Sequence, residues 1–592
     1  MFCEKCGKEV SGNEKFCTGC GNPIGANEQT ANSTGTLGGN ANYVNTQTPK
    51  RDSFTETQTN AETTTIGGAD ALPPKKKKKG VKIIAIAVAA AVAVGTTGVL
   101  AGPYITNGIA KLVMSPSKYY RHIVKKNSKE LSKDAAKLVA SYGDLMSVNT
   151  SQKGSLTVEK GDGLDSILSE LNVDDVDQYI GWLDKANLDY DISFDDGKLK
   201  MDYDIGVNGN KLGKIDMVAD LDSETLYVGL PDYNSTYLSG SVDMGTSGVD
   251  FEDYTELLNS LGEAMPKDSD VEDIIYRYIN VIAGEIDNVE EEKDTVEAGD
   301  ISQKCTKLVA TVDGETGANM ARAFLEELKD DKDIKDIVYD ISEVSDEFSE
   351  LADTYDELMD DIDEVIEATD DMAETDVEIL MTIWVNGKGE IVGTEMAANE
   401  ATVYMTSLEK GGKFGLSIGG DVSGQSFEIT GVGKASGDKR TGDLELKVMG
   451  MSALDIAVED LDTEKLAEGI FAGNIKIKAA KSLPVEMIGD EYKMIKDIEL
   501  EIKSNSESLK KSDISCGVYY DGKLCASVGV KTESGKATTI NTPSDYIDAN
   551  DSYELEEWIK GVDFDKLTDN LEKIGIPSEI LDTIESIEGQ IS

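Results

Sequence analysis

Between Leu188 and Ile205 the chain keeps a strict period of two, and this alternation restricts its fold more than any other feature. Leu188, Tyr190, Ile192 and Phe194 alternate with Asp189, Asp191, Ser193 and Asp195. Asp196-Gly197 supplies a two-residue turn, after which Leu199, Met201, Tyr203 and Ile205 return. A period of two sends successive side chains to opposite faces of a strand, and an Asp-Gly pair suits the backbone of a tight hairpin. Phe194 then faces Leu199, Ile192 faces Met201, Tyr190 faces Tyr203 and Leu188 faces Ile205, leaving one face wholly apolar. Asn208-Gly209 marks the next turn, followed by strands expected over 214–221 and 225–230. Similar patterns recur over 377–385, 390–397, 402–408, 414–418, 426–432, 443–449, 475–479, 497–503, 514–520 and 523–530. An antiparallel sheet of that size needs helices or a second sheet to cover its apolar face.

The cover is expected from residues 334–365. Ile334, Ile337, Ile341, Val344, Phe348, Leu351, Tyr355, Leu358, Ile362 and Val365 hold a heptad beat. That beat is also a coiled-coil seam, and would then imply a homodimer. Val338, Ala352, Met359 and Ile366 widen the stripe to the broader face of a helix lying on a sheet, which is the preferred expectation. Residues 330–370 hold 18 Asp and Glu against Lys332 and Lys335, so the helix needs a tertiary partner to offset its own repulsion.

Acidity is concentrated C-terminally. The whole chain has 57 Lys+Arg and 113 Asp+Glu, of which residues 1–102 hold 11 and 8, leaving 46 and 105, net −59, for 103–592. Such a surface repels nucleic acid, so no nucleic-acid partner is expected. Preceding it, the run from Ile83 to Ala101 is uncharged throughout and is flanked by Lys75 to Lys79 and Lys82. The run suits one transmembrane helix over 81–103, and the lysines place the N-terminus in the cytoplasm and the C-terminal part outside. The basic stretch from Ser115 to Lys126 reads as the start of a helix with Pro116 in its first turn, a stalk near the bilayer.

The opening segment, 1–25, contains Phe2-Cys3-Glu4-Lys5-Cys6-Gly7 and then the same unit again as Phe16-Cys17-Thr18-Gly19-Cys20-Gly21. Two Cys-x-x-Cys-Gly knuckles in the pattern C-x2-C-x10-C-x2-C suit a closed four-thiolate zinc site on Cys3, Cys6, Cys17 and Cys20, structural rather than catalytic. This opening resembles the short zinc ribbons at the N-termini of single-pass membrane proteins of Gram-positive bacteria. The resemblance implies a binding module, and its balanced charges favour a cytoplasmic protein partner. Residues 26–80 are poor in aliphatic side chains and read as a disordered linker ending in the lysine run. The C-terminal pattern of sheet and long helices resembles the unclosed barrel of bacterial lipoprotein carriers, including Leu226-Tyr227-Val228-Gly229-Leu230-Pro231 at a strand end. That resemblance implies a concave apolar face, filled either by lipid or, as preferred here, by the protein's own helix.

Catalytic signals are sparse. The single histidine, His122, lies in the basic stretch, which removes histidine triads and HExxH sites from the acidic part. Gly415-Leu416-Ser417-Ile418-Gly419 and Ser407-Leu408-Glu409-Lys410 match hydrolase patterns but fall in alternating strands. The hairpin sets Asp189 opposite Asp204 and Asp191 opposite Asp202, a square of carboxylates that either binds Ca2+ or is simply solvated. Cys516 and Cys525 are expected on one face of the Asp521-Gly522 hairpin, as two small core residues.

The expected fold class is α+β: zinc ribbon (1–25), linker (26–80), transmembrane helix (81–103) and an acidic extracellular domain (104–592) of antiparallel sheet on long amphipathic helices. Two lobes near 104–372 and 373–592 are consistent with the pattern. The expected function is that of a non-enzymatic, membrane-anchored cell-envelope protein. Its outer domain binds or senses an envelope ligand while the ribbon contacts its partner. A lipid carrier or scaffold and an acidic-residue glycan hydrolase are the alternatives.

Overall fold

The computed structural model describes residues 114–145, 150–170, 181–195, 197–241, 260–345, 348–399, 401–483 and 490–578, with single positions at 111, 257, 581 and 582. All belong to the second of two units, Lys75–Ser592. In chain order the elements are α1 (Pro116–Leu145), β1 (Thr150–Lys160), α2 (Gly163–Glu170), β2 (Lys185–Asp195), β3 (Lys198–Val207), β4 (Asn210–Asp220), β5 (Thr225–Leu230) and β6 (Asn234–Ser241). There follow α3 (Asp268–Gly284), β7 (Val289–Ala298), β8 (Ile301–Val312), α4 (Gly314–Asp330), α5 (Lys332–Ser342), α6 (Ser349–Ala368) and α7 (Asp370–Ala373). A long meander comes next: β9 (Ile379–Val385), β10 (Ile391–Ala398), β11 (Ala401–Lys410), β12 (Lys413–Val422), β13 (Gln425–Ser436), β14 (Lys439–Val448) and β15 (Met451–Asp462). After α8 (Thr463–Ala467) it continues through β16 (Ala472–Ala479), β17 (Ile498–Asn505), β18 (Lys511–Tyr520) and β19 (Lys523–Lys536), closing with β20 (Tyr546–Asp548), α9 (Ser552–Lys560) and α10 (Phe564–Ile574).

These strands form one 20-stranded sheet. Its spatial order runs from β7 through β8, β9 and onward to β19, then β1, β2 and onward to β6, with β20 parallel to β6 at the far edge. The chain therefore enters in the middle, builds outward to β6, and then returns from the opposite edge until β19 meets β1. The α+β arrangement with a membrane-crossing helix is overturned: among the described residues one antiparallel sheet dominates, and no helix is long and apolar enough to cross a membrane. The run Ile83 to Ala101 lies outside the described residues. The longest helix among the described residues, α1, has 30 residues but repeats Lys and Arg from Lys118 to Lys137.

Nor is the start of α1 a stalk. Tyr119, Tyr120, Ile123 and Val124 are among the most buried side chains of the protein. They pack with Ile279, Ile282 and Ile286 at and after α3, and with Leu308, Ala310, Met381 and Ile383 of β8 and β9. Apolar residues three and four apart give α1 a stripe that fits a sheet face, and its basic residues remain at the rim. Farther along, Lys137 pairs with Glu468 at 2.7 Å, so α1 reaches the β15–β16 connection.

The expected continuous helix over 334–365 is two helices. Asp331 caps α5 by accepting from the amides of Asp333 and Ile334, and α5 ends at Ser342 before α6 begins at Ser349. Tyr339 stacks edge-on against Tyr355 and donates to Asp356, closing α5 on α6. Lys329 of α4 pairs with Asp363 of α6. The heptad beat thus serves helix-on-helix packing rather than the sheet, because the helix ends at Ser342 and α6 lies back against α5.

At the first strand of the meander, β9, the β7–β8 hairpin joins the sheet, folds over it and seats its tip on β12 and β13. Gly299, at φ +57°, stands so close that a Cβ would come within 2.2 Å of Val432 Cγ1. Val296, Ala298, Ile301, Cys305 and Leu408 form a small core under this contact, with Trp384 against it.

Candidate functional site

Cys3, Cys6, Cys17 and Cys20 lie outside the described residues. The hairpin of β2 and β3 has Asp189 opposite Asp204 and Asp191 opposite Asp202, as well as the four apolar pairs of the other face. Neighbouring strands interleave lysines with these carboxylates. Lys153 of β1 lies 2.8 Å from Asp191, Lys211 of β4 is 3.2 Å from Asp204, and Lys200 is 2.7 Å from Asp202. Lys214 spans Asp216 at 2.7 Å and Asp202 at 3.6 Å. Lysines of β1, β3 and β4 thus answer three of the four carboxylates, while Asp189 accepts from the Asn187 amide at 3.3 Å. Among the described residues no group of three or more metal-ligating side chains is assembled.

Cys516 and Cys525 do not share a face. A β-bulge between Val518 and Tyr519 inserts an extra residue on β19, and one inserted residue reverses the alternation beyond it. Cys516 is exposed and Cys525 buried, both as free thiols. Ser417 is buried in β12 and sits 3.2 Å from Glu428, while Leu408 of the other hydrolase-like tetrapeptide is core.

The distinctive surface is the apolar face of the sheet. At one end α1, α3 and α4 cover it over β8 and β9, and at the other α10 covers it over β3 and β4. Between these ends two rows cross the strands. One passes Ile475, Ile502, Cys516, Val528, Val158 and Ala186 to Val207. The second passes Ile514, Val530, Leu156 and Leu188 to Ile205. Apolar side chains in a sheet of this size are normally covered, yet here they stand open: Val528 is 44 % exposed, Val530 39 %, Val158 39 % and Leu156 38 %. By contrast Val207, at the end of its row, is 7 % exposed. From Ile514 to Ile205 the row crosses five strands, a path of about 19 Å at the usual strand spacing. This contiguous exposed apolar surface is therefore the candidate site. Contrary to the expected filling by a long helix, the short α2 packs against β18 and β19 at their Tyr520 end, where the Tyr520 hydroxyl donates to Glu170, and the aliphatic rows beyond it stay part-exposed. Beside the rows Tyr190 lies across Gly154, where a Cβ would meet its hydroxyl at 2.5 Å, and burial raises the Tyr190 phenol above its ordinary range.

At the β3–β4 end the apolar face meets a cavity of about 360 Å³ between the sheet and the C-terminal helices. Ile205, Leu212, Ile215 and Leu230 line it from the sheet, and Trp558, Ile559, Val562, Phe564 and Leu567 from the helices. A bulge after Ile205 lets Leu212 swing under α10 with Val207.

The opposite face carries a groove of about 700 Å³ beneath the β7–β8 tip, with Asp300, Asp443, Glu445, Asp455, Lys476, Lys478 and Glu499 along it. Several of these charges are already engaged. Ser452 donates to Glu445 and holds its carboxyl below the ordinary range, while Lys476 lies 3.6 Å from Glu501 and 3.7 Å from Glu459.

Sequence reasoning passed over β1, the strand that joins the two arms of the sheet. Thr150–Lys160 offers only Leu156 and Val158 as large apolar residues, and its charged neighbours mask the period of two. The alternation Leu156-Thr157-Val158 was the available signal. No family model, curated protein or solved structure matches the chain.

Proposed function

We propose that this protein is a non-enzymatic binding protein whose sheet takes a neutral, extended apolar ligand, a lipid acyl chain in chemical class, against its open face. The observation that carries this reading is the pair of half-exposed aliphatic rows crossing β16–β19, β1 and β2. Their side chains offer dispersion contacts and no directional hydrogen bond, so they suit a chain rather than a polar headgroup. A second copy of the protein is a poor occupant, since the net charge of −59 on residues 103–592 opposes face-to-face approach. The N-terminal residues 1–25 are proposed as a zinc-bound protein-contact module on Cys3, Cys6, Cys17 and Cys20, which fits their spacing.

The test is direct. The full chain, incubated with neutral monoacylglycerol carrying a fluorescent headgroup, should bind it as a monomer by sedimentation, and Val528→Asp should weaken binding at least tenfold. Wild-type protein that binds none of the probe, or that sediments as a dimer dispersed by Val528→Asp, refutes the proposal.

A further inference from the structure

We propose that the cavity under α9 and α10 receives the methyl end of the bound chain, so that the C-terminal helix pair acts as a measuring cap. This rests on the apolar-ligand reading and adds to it a direction and a length selection. Its first support is continuity: Ile514, Val530, Leu156, Leu188 and Ile205 are register partners, and Ile205 is itself a wall of the cavity. The open row therefore leads into the cavity without a polar interruption.

Its second support is the chemistry of the lining. The polar groups beside this region are already satisfied within the protein. The Trp558 indole N–H donates to the Thr236 carbonyl at 2.6 Å, and the Tyr233 hydroxyl donates to the Leu212 carbonyl. The Lys214 amine turns to Asp216 and Asp202 on the other face. A headgroup lodged here would lose its hydration without compensation, whereas a hydrocarbon end loses nothing. The volume is at the small end for ligand sites, which admits the end of one chain and excludes a peptide helix or a second copy.

Its third support is how the cap is held. Asn234 donates to the Trp558 carbonyl at 3.0 Å, Lys566 to the Asp232 carbonyl at 2.7 Å, and Asn570 to the Leu212 carbonyl at 3.3 Å. These bonds lie around the β5–β6 turn and the β4 bulge, so the helices are fixed at their rim while the space between them and the sheet stays open.

Two measurements on the full chain test this. Headgroup-labelled monoacylglycerols with chains of eight, twelve and sixteen carbons are titrated into wild type and Ile215→Trp, whose indole fills the cavity from the sheet. Wild type should bind the longest chain at least tenfold more tightly than the shortest, and the substitution should flatten that dependence while short-chain binding persists. Separately, a chain brominated at its methyl end should quench Trp558 fluorescence, identified as the part lost in Trp558→Phe, whereas bromine beside the headgroup should not. Equal quenching by both, or unchanged chain-length dependence in Ile215→Trp with binding intact, overturns the cap. Absence of any binding to wild type overturns the underlying ligand reading instead, and the cap with it.

Discussion

Two substitutions in one turn of α1, at Tyr120 and Ile123, should move stability in opposite directions. Tyr120 is completely buried, and among the described residues its hydroxyl has no hydrogen-bond partner. Burial also pushes its phenol far above the ordinary range, as expected for a group that cannot be solvated when charged. A buried hydroxyl left unpaired costs about 1–3 kcal/mol. Tyr120→Phe keeps the ring and its contacts while removing that cost, so it should stabilise by about 1–2 kcal/mol. Ile123, also at 0 % exposure, packs in the same cluster, and Ile123→Ala should cost about 2–5 kcal/mol as lost transfer energy plus an unfilled cavity. Urea unfolding followed by circular dichroism reads both, with unchanged slopes showing that midpoint shifts report stability. If Ile123→Ala costs less than about 0.5 kcal/mol, the segment behaves as an exposed stalk and its placement in the core is wrong. If Tyr120→Phe destabilises by more than about 1 kcal/mol, the hydroxyl is bonded in solution and the unpaired assignment fails.

Asp331 joins Arg277 at 2.7 Å and Tyr278 at 2.8 Å while capping α5, so Asp331→Ala should cost about 2–4 kcal/mol from a lost charged hydrogen bond and a lost cap; a cost under about 1 kcal/mol in urea denaturation would contradict this. The Trp384 indole N–H, 2.8 Å from Asp294, holds that carboxyl below its ordinary range. A lowered folded pKa contributes stability that is present above the unfolded value and lost as pH falls through the folded one. The stability gap between wild type and Asp294→Asn should therefore be full at pH 6 and shrink below about pH 4, and a gap constant down to pH 2.5 would argue against the bond. Among the three cysteines of the described residues, Cys516 should be alkylated in the native protein, whereas Cys305, whose thiol burial pushes up to about 11, and Cys525 should react only on unfolding, as peptide mass mapping would report. For the N-terminal segment, Cys17→Ser should abolish stoichiometric zinc measured by metal analysis, and retention of one zinc per chain would count against the four-thiolate site.

The β2–β3 hairpin was legible residue by residue because a period of two and an Asp-Gly turn together leave a single register. Most strands of the long meander were legible for the same reason, with two-residue turns joining β10 through β15. Local pattern also indicated that α1 begins near Pro116. It did not indicate where that helix goes, since a stripe of tyrosine and isoleucine fits a core as well as a membrane-side stalk. The break between α5 and α6 was hidden because the heptad beat continues through 343–348 unchanged in composition. The fate of Cys525 turned on one bulged residue, which no alternation reveals.

By itself, the sequence determined that the chain builds a large antiparallel sheet with one apolar face, that its surface is strongly acidic, and that its N-terminal segment carries zinc-site spacing. These follow from local periodicity, charge and short-range spacing, which need no knowledge of distant contacts. Only the tertiary structure decided that β1 joins the sheet to β19, that lysines of β1, β3 and β4 pair with Asp191, Asp202 and Asp204, and that the longer described helices pack at the two ends of the apolar face while only the short α2 reaches β18 and β19. Each of these depends on residues distant in the chain meeting in space. The open middle of that face, and the cavity into which it leads, follow from where helices do and do not pack.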